Sequence, residues 1–490
     1  DSLSAMRATA AINNALDTEI SVQTLFLTPT VRELSLSLTD ARAGDPLFES
    51  VHGSSHEARA ADLTLDKFLD PATLQHAPRL PGPSPDVRTV LLTGGTGFLG
   101  RYLILELLEQ MERVDGTVIC LVRGDSDAAA RRRITDIFHC GDPNLSARFD
   151  ELAATHLEVI TGDKTEPSLG LDPHTWQRLA DRVDLIIDSA AVVNGARPYR
   201  ALFRANVAGT AELIRLALTS KLKRYSYVST ADVGVGIDRA VFTEDADIRV
   251  ISPTRVVDGA VGSGYGTSKW AGEVLLREAN DLCGLPVTVF RCGMIMAGSA
   301  YAGQINTTDT VSRMVLSLVA TGIAPDSFYR LDANGNRQRA HYDGLPVDFV
   351  AGAVATLGAQ ATDGYQTFHV MNPHDDGIGV DEYIDWLIEA GYSIRRVGAF
   401  EEWLPRFEAA LRGLPEHQRR HSVLQLLVAR DRERLRPPEP PRGSFGPTER
   451  FRAAVREAKI GPDKKNPDIP HVSPQVIMRY VTDLQLLGLL

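Results

Sequence analysis

Six short apolar runs constrain this chain more than any other feature: "VRTVLLTG" from Val87, "GTVICLVRG", "LEVITGD", "VDLIIDSAAVV", "RYSYVST" and "LPVTVFRCG". Each has the near-continuous hydrophobic texture of a parallel strand buried on both faces, and helical stretches separate most of them. Strand, helix, strand at this spacing predicts an α/β fold, a doubly wound parallel sheet with right-handed crossovers. After about Gly298 the alternation loosens. "TVSRMVLSLVATG", "LPVDFVAGAVATLG", "VDEYIDWLIEAG" and "FEEWLPRFEAALRGL" read as helices, with one further strand candidate in "YQTFHVMNP". A nucleotide-binding domain over 86–298 is therefore expected, followed over 299–490 by a smaller, mainly helical lobe that returns at least one strand to the sheet. "RDRERLRPPEPPRG" reads as a solvated turn, because its charges are mixed.

The N-terminal part has a different texture. Residues 1–40 read as short helices, with Leu3, Met6, Ala10 and Leu16 roughly on one face and Thr30 placed to cap a helix. So few large apolar groups are marginal for an independent domain. Residues 41–85 turn polar and end in "APRLPGPSPDVR"; their prolines, Pro71 included, predict an extended connector.

A length of 490 residues implies two or three domains, and 43% hydrophobic with 23% charged residues argues against wholesale disorder. A formal charge of −11 gives no support to nucleic acid or an anionic membrane as partner. Cys120, Cys140, Cys283 and Cys292 lie far apart without metal-ligand spacing, as reduced thiols of a cytoplasmic protein would. No apolar run reaches the roughly 18 residues of a membrane span, and the start carries no signal peptide. An opening of "DSLSAM" without Met suggests a piece of something longer.

Between the first apolar run and an amphipathic helix stands Thr93-Gly94-x-x-Gly97-x-x-Gly100. Gly94 suits a tight turn, Gly97 lets a pyrophosphate approach the backbone, and Gly100 lets helix and strand pack closely. The helix N-terminus then offers amides to phosphates. A glycine-rich turn without a ligand is the plainer alternative. The next strand ends in Arg123, where cofactors without a 2′-phosphate usually meet Asp or Glu. Arginine pairs well with a phosphate, so NADPH is expected over NADH, with Arg131 or Arg133 as possible helpers or plain surface residues.

Further on, Ser229 and Thr230 close an apolar run, and Tyr265 precedes Lys269 by one helical turn in "GYGTSKW". A free phenol, with pKa about 10, is a poor acid–base catalyst at neutral pH. A lysine ammonium and an oxidised nicotinamide both favour phenolate and are expected to draw that pKa toward the working range. Thr230 would hold a substrate carbonyl by a hydrogen bond.

Taken together, the glycine fingerprint, "DSAAVVN" at 188–194, Asn206, "YVST" and Tyr265-x-x-x-Lys269 resemble the extended short-chain dehydrogenase/reductases over about residues 86–375. Within them, "LLTGGTGFLGRYL" and "GYGTSKWAGEVLLREA" are similar to the thioester reductase domains of carboxylic acid reductases and of some nonribosomal peptide synthetases. The resemblance implies that Thr230, Tyr265 and Lys269 are catalytic. It implies a cofactor against Thr93, Gly94, Thr96, Gly97, Phe98, Leu99, Gly100, Arg123, Arg133, Asp163, Ala190, Asn206, Tyr265 and Lys269. For Asp163 a loop cap, and for Asn206 a helix-packing role, stay open.

The same resemblance makes Ser2, otherwise a helix cap, the attachment point of a 4′-phosphopantetheine arm on a partial carrier domain, behind an adenylation domain. It implies reduction of the carrier-bound acyl thioester to an aldehyde: hydride reaches the carbonyl carbon, Thr230 and Tyr265 stabilise the oxyanion, and Tyr265 gives the proton. One departure stands out. Carboxylic acid reductases tend to read Arg-Cys-Asp-Met-Ile where this chain has Arg291-Cys292-Gly293-Met294-Ile295, and Gly293 is expected to permit further reduction to alcohol. The rival readings are a terminal reductase of a peptide synthetase, a sugar-nucleotide epimerase or dehydratase of the same fold, and a nucleotide-sensing module.

Overall fold

The computed structural model describes residues 45–490, apart from 140, 194–196, 258–262 and 430–435, together with scattered positions between 8 and 35. Ser2 and the face drawn through Leu3, Met6 and Ala10 lie outside the described residues. Leu34 N donates to the Thr30 carbonyl at 3.0 Å, so a helical turn begins at Thr30 as expected.

All six apolar runs become strands: β1 Thr89–Thr93, β2 Thr117–Val122, β3 Leu157–Thr161, β4 Leu185–Asp188, β5 Arg224–Thr230 and β6 Val287–Cys292. "YQTFHV" adds β7, Tyr365–Val370. They form one seven-stranded sheet in the order β3-β2-β1-β4-β5-β6-β7, parallel throughout. The order reverses beside β1, which opens a crevice at the strand C-termini between β1 and β4.

Between the strands run α1 (Phe98–Val114), α2 (Asp127–Phe138), α3 (Pro143–His156), α4 (Pro173–Arg182), α5 (Gly209–Ala217) and α6 (Ser263–Cys283). Side chains cap three of them: Ser126 on α2, Asp142 on α3 and Asp172 on α4. The later helices are α7 (Thr310–Thr321), α8 (Val347–Gly358), α9 (Val380–Glu389), α10 (Phe400–Gly413), α11 (Glu449–Glu457) and α12 (Pro474–Leu486). On one face of the sheet α5 and α6 bury Leu213, Leu216, Trp270 and Leu275. On the other, α1 and α8 bury Leu103, Leu107, Val350 and Val354. A third core, with Val315, Tyr383, Trp403, Phe407 and Ile477, belongs to the lobe.

Two boundaries read differently in three dimensions. The extended connector expected over 41–85 is folded from Asp45 onward. Asp45 and Asp70 cap short helices that start at Pro46 and Pro71, the first helical position, where proline costs nothing. Glu57–Arg59 pairs antiparallel with Thr254–Val256, and Phe48, Val51, Leu63, Leu65 and Leu69 are buried against the α5–α6 face. Proline breaks a helix only in its interior, and Pro46 and Pro71 stand at helix starts, so this strap folds where an extended connector is expected. The lobe, in turn, is interleaved with the sheet: α8 covers a sheet face, and α11 packs on β7. Among the described residues, no helix is long and apolar enough to cross a membrane.

Candidate active site

At the β1–α1 turn Gly94 takes φ +79°, and a Cβ there would stand 2.8 Å from Ala190 N. A Cβ on Gly100 would lie 1.9 Å from the Gly94 carbonyl oxygen. Gly97 caps α1, with its own amide 2.9 Å from that oxygen. The turn is thus a cradle that side chains would fill, and it fits the pyrophosphate of a dinucleotide at a helix N-terminus. Thr96 and Phe98 are half-buried beside it, and Leu99 is turned into the core. Thr93 is occupied: its hydroxyl donates to Asp188 Oδ1 at 3.1 Å and accepts from Ala190 N at 3.1 Å, which fixes the β4 end against the cradle.

Arg123 is exposed at the end of β2, and Arg133 on α2 donates to its carbonyl. The Arg133 guanidinium therefore lies at the backbone of Arg123. Arg131 is spent on the Leu157 and Ala153 carbonyls at 3.0 Å each. Asp163 Oδ1 accepts from Thr165 N at 2.9 Å and from its hydroxyl at 2.8 Å, the loop-cap arrangement. Asn206 sits in a π-helical turn, Arg204–Ala208, a device common at functional sites. Its amide bridges Val192 N (2.8 Å), Val192 O (3.1 Å) and Ser268 Oγ (2.9 Å), bracing the β4 turn to α6.

Thr230 ends β5, and its hydroxyl accepts from Asp232 N at 3.2 Å, which leaves its proton to donate. The α6 start is pressed close: a Cβ on Gly264 would meet the Arg197 carbonyl oxygen at 2.2 Å. Lys269 is buried, its Nζ 3.9 Å from the centroid of the Tyr227 ring. Burial, opposed by Asp188, pushes its ammonium down to about 7. Burial, with Asp232 and Cys292 adding to it, pushes the Tyr265 phenol well above its ordinary value. That is the reverse of the direction expected from Lys269 alone, and it holds Tyr265 as a neutral hydrogen-bond donor.

Two buried charge pairs near these groups have no motif in the sequence. Lys164 pairs with Asp188 at 2.6 Å, and Glu273, one turn past Lys269, pairs with Arg291 at 2.7 Å. The available signal was a carboxylate at the end of the apolar run "VDLIID" and another inside a helix of buried pattern. Beyond Gly293, a cavity of about 820 Å³ opens into the lobe, bounded by Met294, Met314, Leu318, Trp403, Phe407 and Phe445. Asp343 lines it too, and a Cβ on Gly293 would be 3.3 Å from Asp343 Oδ1.

A cradle ahead of α1, and a tyrosine and lysine one turn apart on the helix that crosses to β6, define an extended short-chain dehydrogenase/reductase. The NAD-binding family described as male sterility protein matches residues 92–354, and the chain belongs to it. Its N-terminus, residues 1–38, matches the phosphopantetheine attachment site. The isonitrile lipopeptide synthase of Mycobacterium tuberculosis is 64% identical over 497 residues, covering 100% of this chain and 20% of that protein. The carboxylic acid reductase of Mycobacterium marinum is 58% identical over 500 residues, covering 100% of this chain and 42% of that protein. The chain spans less than half the length of these curated relatives. The crystal structure of the reductase (R) domain of a nonribosomal peptide synthetase from Mycobacterium tuberculosis matches with a TM-score of 0.83 at 64% identity, covering 89% of this chain and 100% of that one. This is an NAD(P)-binding oxidoreductase fold joined to a carrier-type attachment region, as the sequence resemblance implied.

Proposed function

We propose that the chain reduces an acyl thioester, presented on a phosphopantetheine arm at Ser2, to an aldehyde with NADPH. The observation that carries this reading is that Thr230 stands opposite Cys292 across β5 and β6, and Met294, two residues on, lines the apolar cavity. Gly94, Gly97 and Gly100 would receive the pyrophosphate, and Arg123 with Arg133 the 2′-phosphate. When bound, NADPH supplies the hydride for the carbonyl carbon. Thr230 and Tyr265 donate hydrogen bonds to the oxygen as it gains charge, the point where donors matter most. Tyr265, kept protonated by its surroundings, gives up its proton, and the Lys269 ammonium steadies the phenolate left behind. The tetrahedral adduct then loses thiol and leaves aldehyde. The apolar walls of the cavity suit the acyl group and exclude water from it.

In this reading residues 1–40 are part of a carrier domain, 86–298 hold the cofactor and 299–490 shape the acyl site. In the same reading an adenylation domain stands upstream and the setting is cytoplasmic. Gly293 adds no carboxylate of its own beside that of Asp343, and in this reading a second reduction to alcohol is favoured. A second reading, release from a peptide synthetase, is favoured by 64% identity to the lipopeptide synthase against 58% to the carboxylic acid reductase. Incubation with NADPH and a panel of acyl- and peptidyl-pantetheine thioesters, with product analysis, tests both. Tyr265→Phe is expected to lose about 10²–10⁴ in kcat; near wild-type turnover would remove the mechanism.

A further inference from the structure

Asp188 closes β4 with its side chain wholly buried; Lys164 pairs with it, and Lys269 lies over the ring of Tyr227, the residue opposite Asp188 across β4 and β5. Lys164, from the turn after β3, takes both carboxylate oxygens, at 2.6 and 2.7 Å. It also donates to the Ala190 carbonyl at 3.2 Å and to Thr210 Oγ1 at 3.0 Å. Hydroxyls from Thr93 (3.1 Å), Thr210 (3.0 Å) and Tyr225 (3.0 Å) complete the shell, so Asp188 has no acceptor position to spare. Lys269 has no hydrogen-bond partner among the described residues and rests over the Tyr227 ring instead.

Resting on the reductase reading of Tyr265 and Lys269, we propose that Lys164 is a positioning residue for the reaction. By occupying Asp188 it keeps Lys269 out of a buried ion pair and free to serve the Tyr265 phenol. The physical ground is that a buried carboxylate left without a cation is costly. If Lys164 were absent, the ammonium already coupled to Asp188, that of Lys269, would be drawn toward it. Tyr265 lies one turn before Lys269 on α6, and the groups around Lys269 are Glu273 on its own helix, Asp188 from β4, Lys164 from the turn after β3, Tyr227 from β5 and Cys292 from β6. Of these, Lys164 opposes its charge while Asp188 and Glu273 favour it.

The test is Lys164→Met, Asp188→Asn and the double variant, read through the pH profile of NADPH-dependent thioester reduction. A second readout is the pH dependence of reductive methylation of Lys269 in the free protein, followed by mass spectrometry. Lys164→Met should move the basic limb and the methylation midpoint up by about one pH unit. It should lower kcat on the order of tenfold, the equilibrium worth of one unit. Asp188→Asn should move both midpoints down, which carries the test if Lys164→Met fails to fold. The double variant should return both midpoints toward wild type and recover most of kcat. Unmoved midpoints in the single variants, or a double variant no better than Lys164→Met, would overturn the proposal. A wild-type protein without turnover would strike the reductase reading instead, and the methylation midpoints would still decide the competition for Asp188.

Discussion

Arg291 and Glu273 are locked in a bidentate pair, Nη2 to Oε2 at 2.7 Å and Nε to both oxygens at 3.2 Å, with both side chains closed to solvent. Glu273 also accepts from Ser229 Oγ at 2.6 Å, next to Thr230, and Arg291 Nη1 donates to His369 Nε2 at 3.1 Å. One charge pair thereby ties the helix of Lys269 to β5, β6 and β7. Glu273→Ala strands a buried guanidinium and is expected to cost roughly 3–5 kcal/mol of stability. Replacing both residues by Met should recover much of that loss, and denaturant unfolding of the three proteins measures it.

Arg123 is exposed at the end of β2, and Arg133 donates to its carbonyl. Charge-assisted hydrogen bonds of this kind contribute about 1.5–3 kcal/mol, so Arg123→Ala should raise KM for NADPH by roughly 10- to 100-fold. KM for NADH should barely move. Equal effects on the two would withdraw the 2′-phosphate assignment.

Gly293 has room for a Cβ, but that atom would stand 3.3 Å from Asp343 Oδ1. Asp343 is itself held by Asn372 N at 2.7 Å and Phe445 N at 2.9 Å, and burial raises its carboxyl. Gly293→Asp therefore sets two carboxyl groups side by side at the mouth of the cavity, where they resist ionising together. The product of the variant should shift toward aldehyde at the expense of alcohol, as chromatography of the reaction mixture would report. An unchanged ratio would end the role given to Gly293.

His52 belongs to the strap, its Nε2 3.1 Å from the Tyr199 hydroxyl and its ring among Phe48, Tyr199 and Phe203. Burial, with Lys67 and Arg200 assisting, pushes it from 6.5 down to about 4. Between those two values the unfolded chain binds the proton and the folded chain does not. Stability is therefore lost as pH falls from 6.5 through 4, and is indifferent to this residue above that window. Melting temperatures taken across it should fall less steeply for His52→Phe than for wild type.

Much of the sheet was readable in advance because its signals are local. An apolar run flanked by helical periodicity needs no knowledge of its neighbours, and Gly94 and Gly100 do their work within a single turn. Tyr265 and Lys269 were readable for the same reason, since one helical turn separates them. Lys164 and Asp188 lie 24 residues apart and Arg291 and His369 lie 78, and only the packing of strands brings them together. The direction of the Tyr265 shift was missed because spacing reveals a charged neighbour and not the loss of water. In the strap, Asp45-Pro46 and Asp70-Pro71 are helix starts whose cap became visible only with the backbone.

The strap also sets a limit on delivery. The attachment region matches through residue 38, and the chain is anchored again by the Asp45 cap. The seven links between those two points can span at most about 25 Å when fully stretched. If the matched region folds as the carrier proposed above, its C-terminal end stays within that reach of Asp45, and the carrier body together with the prosthetic arm would have to cover the rest of the way.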